Sequence, residues 1–206
     1  MTQHDPAFDA EGSALKLLRH PHLARVVHVF VPSAAVLVGV SVWLAEGRVL
    51  PALLGVLYGF AWWTLLEYFL HRYVLHWEPE ESWAKTLRRF MPGHRSHHND
   101  PHDPDDVVSV KHSFAIPLAV IGLALLLPVF SWPFSLSTLA GAALGYTAYE
   151  YVHFACHQLP MKNGIGRRLR QHHGFHHYRD ETVNFGVTSP FWDWVFGTLH
   201  RPARRR

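Results

Sequence analysis

The sequence predicts an all-α integral membrane protein with four transmembrane helices in two hairpins and a cytosolic helical cap. Three observations lead there. Long apolar stretches alternate with segments dense in His, Arg and Asp. Each apolar stretch is close to the 20 or so residues that a helix needs to cross a bilayer core. The basic residues lie almost entirely to one side of those stretches. A mean hydropathy of -0.01 conceals this segregation. At 206 residues the chain is of single-domain size, so residues 1–206 are read as one membrane-embedded unit.

Taken in order, the first two spans are Val26–Ala45 and Val49–Leu70, joined only by Glu46-Gly47-Arg48. The third and fourth are Ser113–Trp132 and Phe134–Tyr151, with a turn expected around Trp132-Pro133. Ile116–Phe130 carries no charge, which disfavours a soluble helical bundle. The cap is residues 71–112 and 152–206. Residues 1–25 are polar, and no secretory signal is expected. The single cysteine, Cys156, excludes an intramolecular disulfide.

Orientation follows from charge. Of the 19 basic residues, 18 fall in the amino-terminal segment, in 72–111 or after Val152, and only Arg48 lies in a hairpin turn. The positive-inside rule makes that side cytoplasmic. Trp62, Trp63 and Trp132 near span ends suit an interfacial belt or packing. Arg204-Arg205-Arg206 suits anionic headgroups. A net charge of +3, placed on one face, speaks for orientation and not for a nucleic-acid partner.

The 18 histidines exceed the 16 acidic residues, and ten of them form four clusters. These are His71 and His76, then His94, His97 and His98, then His153 and His157, and last His173, His176 and His177. Residues at i, i+3 and i+4 share a helix face. Each triplet is therefore expected to aim three imidazoles at one point, and His153/His157 to stand one turn apart. His71 and His76 are five apart, about 140° around an ideal helix. They reach one site only if the helix loosens near Trp77, or else they serve different metals. Ten imidazoles are too many for one ion and supply about five to each of two. Imidazole suits Zn, Cu, Fe and Ni alike.

The His-Glu-x-x-His signature of zinc proteases is absent. A carboxylate-bridged di-iron bundle needs two Glu-x-x-His motifs, and only Glu150–His153 fits. Glu150 and Glu67 are instead placed to orient the rings of His153 and His71. Asp100 and Asp103 are candidates for the same duty, within an acidic run that also reads as an exposed turn set by Pro101 and Pro104. His4, His20, His22 and His200 read as solvated, and His28 as packing at its span. His102, His112 and His172 read as neighbours of the clusters, without ligation. No catalytic side chain is assigned beyond the metal ligands.

The order His-x4-His, His-x2-His-His, His-x3-His, His-x2-His-His, interleaved with two membrane hairpins, resembles the fatty acid hydroxylase/sterol desaturase superfamily. The resemblance runs from Tyr58 to Leu199. It is sharpest in Gly145–His157 and in His173–Thr198, which includes Asn184-Phe185-Gly186-Val187-Thr188 and Phe191-Trp192-Asp193-Trp194. These stretches look most like the branch that hydroxylates fatty acyl chains at carbon 2, often in ceramide-type sphingolipids. The resemblance implies two iron ions on the ten histidines, with zinc able to substitute in purified protein, and molecular oxygen as co-substrate. It also implies a lipid substrate drawn from the bilayer and a separate electron donor of cytochrome b5 or ferredoxin type. This sequence carries no stretch like the cytochrome b5 domain of some members. It has Cys156-His157 where some close relatives have His-His.

Phe69, Tyr149, Tyr151, Phe154, Phe185 and Trp192 are candidates to line an acyl-chain slot, or simply pack. Two other readings stand beside this one: a sterol or carotenoid hydroxylase or desaturase of the same superfamily, and a non-catalytic metal-binding or metal-transport membrane protein. Transport predicts polar ligands inside the spans, whereas here the histidines gather at span ends.

Overall fold

The computed structural model describes residues 20–88, 94–103, 112–162 and 164–200. His4, Lys16, Arg19, Pro104 and the terminal arginine run lie outside them. Among the described residues the protein is helical, with no strand. The helices are α1 (Pro21–Leu44), α2 (Val49–Phe69), α3 (Ser82–Arg88), α4 (Arg95–Asn99), α5 (His112–Leu126), α6 (Trp132–Gln158), α7 (Gly164–Tyr178) and α8 (Phe191–Val195). A π-helical segment, Leu70–Leu75, continues α2 without a break.

Two helical stretches are long and apolar enough to cross a membrane, Leu23–Leu44 and Val49–Leu75. The first hairpin turns tightly because Glu46 and Gly47 adopt left-handed conformations, φ 56° and 81°. That is a region glycine enters without steric cost. The second pair departs from expectation. α5 stops at Leu126 after 15 residues, and the turn lies at 127–131. Trp132 and Pro133 belong to the first turn of α6, where proline's missing N–H costs no helical hydrogen bond. α6 then runs 27 residues, well past Tyr151, so it carries His153 and His157 on the same rod that packs the core.

That core is a close contact of α6 with α2 and α1. Gly55, Gly59, Gly141 and Gly145 form two small-xxx-small stripes facing each other. A Cβ on Gly59 would lie 1.9 Å from the Thr138 carbonyl oxygen, and one on Gly141 would lie 2.1 Å from that of Val56. Only glycine allows backbones so near, a device of helix pairs that lack a hydrophobic drive between them. The Ser41 hydroxyl donates to the Pro133 carbonyl at 2.6 Å, tying α1 to the start of α6. Trp63 is buried against Tyr146 and Tyr149, so it packs, whereas Trp62 and Trp132 are exposed. Outward faces remain apolar, with Leu50, Leu53, Leu54 and Leu57 on α2 and Ile116, Val120 and Leu125 on α5 exposed.

Gly59→Ala and Gly141→Ala are each expected to lower the thermal midpoint, since overpacking costs about 1–3 kcal/mol. Gly39→Ala and Gly122→Ala, where a Cβ meets nothing within 4 Å, should leave it unchanged or raise it. Equal shifts for all four in thermal unfolding would contradict this packing.

Candidate metal centre

Each histidine cluster sits where its backbone can aim inward. The π-helical segment solves the spacing of His71 and His76. Its i→i+5 hydrogen bonds widen the turn, bringing residues five apart toward one face, with ring centroids 5.2 Å apart. The helix therefore loosens at Leu70–Leu75, one turn before Trp77. His94 precedes α4, which carries His97 and His98. α6 ends in His153 and His157, and α7 ends in His173, His176 and His177.

The ten rings form two groups of five. One is His71, His76, His94, His98 and His176; the other is His97, His153, His157, His173 and His177. Within each group the ligand atoms lie within 4.8 Å of one another. The triplets thus do not converge on single points, as spacing alone predicts. His94 and His98 enter one group and His97 the other, and His176 is likewise parted from His173 and His177. Helix geometry explains the split. Residues i and i+4 differ by about 40° around the axis, while i+3 and i+4 differ by about 100°. A His-x2-His-His helix end lodged between two points therefore straddles them.

The Nε2 atoms converge. In the first group His71 approaches His94 at 2.9 Å, His94 approaches His98 at 3.1 Å, and His76 approaches His176 at 3.0 Å. In the second, His97 lies 3.1 Å from both His153 and His157, and His157 lies 2.9 Å from His173. With metal–nitrogen bonds of about 2.0–2.1 Å, an octahedral edge is about 2.9 Å and a tetrahedral edge about 3.4 Å. Each donor set is thus close enough to surround one ion. Backbone carbonyls hold two of the outer nitrogens. His71 Nδ1–H donates to the Phe185 carbonyl, and His176 Nδ1–H donates to that of Val183 at 2.8 Å. That tautomer leaves Nε2 with a bare lone pair. Both ring nitrogens of His177 are shielded from solvent and have no hydrogen-bond partner among the described residues. Such a group is costly unless an ion meets it.

Burial disfavours the charged form of these rings, and at His94, His98, His157 and His173 neighbouring imidazoles add to the effect. His94 and His173 are held well below the usual histidine range. His177 is also pushed strongly down. Desolvation brings His98 to about 3 and His157 to about 2, and neighbouring histidines deepen both shifts. His176 falls to about 4 on burial, partly offset by its hydrogen bond to Val183. A polar cavity of about 210 Å³ opens beside the first group, between His76, His94, His98, Glu78, Arg95 and Glu181. Arg95 bridges Glu78 and Glu181 across it at 3.4 and 3.8 Å.

Glu67 and Asp100 act elsewhere than their spacing suggests. Glu67 does not orient His71. Its Oε1 accepts the Val187 and Thr188 amides at 2.8 and 2.7 Å, and its Oε2 accepts the Thr188 hydroxyl at 2.7 Å. Glu150 is fully buried on α6 and takes a side-chain hydrogen bond from Tyr146. Asp100 is exposed and accepts the His102 amide at 3.3 Å in a local turn, with Asp103 exposed beside it. Both therefore belong to the exposed-turn reading.

Asp193, given no role from sequence, is central. Its two oxygens accept the Phe185 and Gly186 amides, both at 2.8 Å, and the Thr198 hydroxyl at 2.8 Å. His172 Nε2 lies 3.0 Å from its Oδ2. Asn184, in a left-handed conformation, donates to the His172 carbonyl and accepts the His200 amide. Four successive amides, Phe185 to Thr188, are thus taken by two buried carboxylates, and the Phe185 carbonyl is thereby set against His71. The available signal was a lone acid inside Phe191-Trp192-Asp193-Trp194-Val195.

Other assignments also shift. His200 stacks on Phe175 at 3.7 Å and is not simply solvated, while His28 is exposed on α1. Tyr149 stacks on His153, and Phe185 packs on His71, His76 and His176. Phe154 and Tyr151 pack beside Leu23 of α1, away from the slot role.

Asp193→Ala is expected to cost about 3 kcal/mol or more, because it strands several buried donors. It should also lower metal retention. Asp100→Ala should change neither, as read by thermal unfolding and metal analysis. The depressed histidine pKa values fix a pH dependence too. Below the ordinary histidine value of about 6.5, the unfolded chain takes up protons that the folded rings refuse. The metal-free protein should hold its stability above about pH 7 and lose it as pH falls toward 4, where His176 begins to titrate. A flat profile from pH 7 to 5 in denaturant unfolding would reject neutral packed rings.

Comparison with known proteins agrees with this geometry. Residues 56–198 match the fatty acid hydroxylase family. A dihydroceramide fatty acyl 2-hydroxylase of Arabidopsis thaliana is 34% identical over 161 residues, covering 77% of this chain and 66% of the relative. A ceramide very long chain fatty acid hydroxylase of Saccharomyces cerevisiae is 37% identical over 146 residues, covering 68% of this chain and 36% of the relative. The fatty acid 2-hydroxylase of Homo sapiens is 31% identical over 141 residues, or 66% of this chain and 37% of the relative. The chain thus spans from about a third to just under two thirds of these relatives' lengths. The solved hydroxylase domain of full-length Scs7p superposes with a TM-score of 0.75 at 31% identity, covering 86% of this chain and 66% of that one. On the match across residues 56–198, with the histidine clusters all inside it, the chain belongs to the fatty acid hydroxylase family.

Proposed function

We propose that the protein is an oxygen-dependent lipid hydroxylase that adds a hydroxyl to carbon 2 of fatty acyl chains, free or in ceramide-type lipids. The two converging groups of five imidazoles carry this reading. Two iron ions bound by His71, His76, His94, His98 and His176, and by His97, His153, His157, His173 and His177, would supply the oxygen activation that no side chain provides. Zinc is able to take the same sites in purified protein. A separate cytochrome b5- or ferredoxin-type protein delivers the electrons. The 2-hydroxylase names of the relatives support the substrate assignment.

The chain's own part is to hold and exclude. Phe185 and Val183 carbonyls keep the His71 and His176 tautomers, and most of the rings are buried. Tyr149 and Phe185 set apolar surface beside the imidazoles, where an acyl chain would rest. In the membrane α1, α2, α5 with the turn after it, and α6 make four crossings as one domain. Both termini and the histidine-bearing cap face the cytosol. The 18-to-1 basic asymmetry and the apolar outward faces support this arrangement.

Purified protein should carry close to two transition-metal ions per chain. His97→Ala and His176→Ala should each lower that content and His22→Ala should not, by elemental analysis. Wild type that holds one ion or none would sink the di-metal assignment. Expression in cells with a competent donor should add the mass of one oxygen atom to fatty acids released from complex lipids, at carbon 2 and only in the presence of oxygen. His153→Ala and His157→Ala should abolish the gain. Loss of two hydrogens instead would mean desaturation, a modified sterol or carotenoid would reject the acyl substrate, and no lipid change would revive a non-enzymatic role.

A further inference from the structure

Helix α8 presents a surface that the metal centre does not use. Asp193 points inward and is fully buried, while Phe191, Trp194, Val195 and the following Phe196 are 42–59% exposed. The helix is pinned against the last turns of α2. Trp192 Nε1–H donates to the Thr64 hydroxyl at 2.9 Å, and Phe196 packs on Tyr68 and Phe69 at 5.1 and 5.3 Å. Thr64 lies six residues before Leu70, about 9 Å back along the rod at 1.5 Å per residue. Leu70 lies inside the long apolar stretch Val49–Leu75. The aromatic face of α8 is therefore level with a part of α2 that still belongs to its membrane-crossing length. It is also continuous with exposed Phe69 and Tyr73.

We propose that α8 is a membrane-inserted wedge, seated with Phe191, Trp194 and Phe196 at the acyl–headgroup boundary of the cytosolic leaflet. This rests on the membrane-spanning reading of α2. The Trp194 indole, an apolar body with a polar N–H edge, favours that boundary, and the phenyl rings of Phe191 and Phe196 favour its apolar side. A short helix with one apolar face lies in the plane of such an interface. The opposite face holds the Phe185–Gly186 amides through Asp193. One five-residue helix thus joins lipid on one side to the backbone that orients His71 on the other.

The test is depth measurement on the full chain in phosphatidylcholine vesicles containing anionic lipid. Nitroxide labels are placed at Trp194→Cys, with Phe191→Cys as a second site, in a Cys156→Ala background. Leu54→Cys on the exposed face of α2 and Glu181→Cys at the polar cavity serve as references. The Trp194 label should collide with oxygen over a water-soluble nickel chelate several-fold more than the Glu181 label, approaching Leu54. A chelate-accessible Trp194 label beside a lipid-buried Leu54 label would overturn the wedge alone. A Trp194 label shielded from both relaxers would mean that a second copy or another protein covers this face, and would also overturn it. A chelate-accessible Leu54 label would instead bring down the membrane-spanning reading, and the wedge with it.

Discussion

Five imidazole lone pairs cannot be aimed at one point in a dry interior unless a positive charge sits among them. A hydrogen bond reconciles two rings by giving one of them the proton, but it cannot reconcile five. His94 Nε2 faces both His71 and His98, and His97 Nε2 faces both His153 and His157. Burial removes the other escape, protonation, because charging one ring beside nine others in a low dielectric is prohibitive. The two groups are thus arranged for cations, and the rest of the structure holds that arrangement in place.

The restraint is layered. The outer nitrogens of His71 and His176 meet backbone carbonyls from the 183–185 stretch, so ring orientation depends on where that stretch lies. The amides from Phe185 onward are taken by Asp193 from α8 (Phe185 and Gly186) and by Glu67 from α2 (Val187 and Thr188), two buried carboxyl groups that satisfy peptide donors. Each carboxyl group is met by several hydrogen bonds, the condition under which a buried polar group is tolerated. Further out, the glycine stripes let α2 and α6 touch backbone to backbone. Contact that close fixes the relative height of the two rods that carry His71, His76, His153 and His157. A methyl group between α2 and α6 would therefore disturb the metal groups as well as the membrane core.

The proposed hydroxylation of an acyl chain needs a lipid to reach a water-poor site without leaving the bilayer. Tyr149 of α6 and Phe185 of the stretch between α7 and α8 bring apolar surface to the imidazoles. The polar cavity around Arg95 opens beside the first group at its edge. The surroundings of the imidazoles thus differ in chemistry, aromatic where Tyr149 and Phe185 pack and polar at the cavity.

The amino-acid sequence by itself determined the helical class, the two long apolar rods and the ten histidines that gather. Those features are local: apolar length, turn residues and i, i+4 neighbours are properties of one element, readable from spacing. Tertiary structure alone decided which imidazole joins which group, because His97 and His176 are parted from their triplets by where facing helices sit. It alone placed the π-helical turn that brings His71 and His76 together, which a five-residue spacing permits but does not require. It also ended α5 at Leu126 and drew α6 through to Gln158. The roles of Glu67 and Asp193 were hidden for the same reason. Glu67 is 120 residues from Val187 in the chain, and its proximity to His71 in sequence pointed to the wrong partner. Spacing along a chain reports neighbours within one helix, whereas the groups that hold this site meet only when separate helices cross.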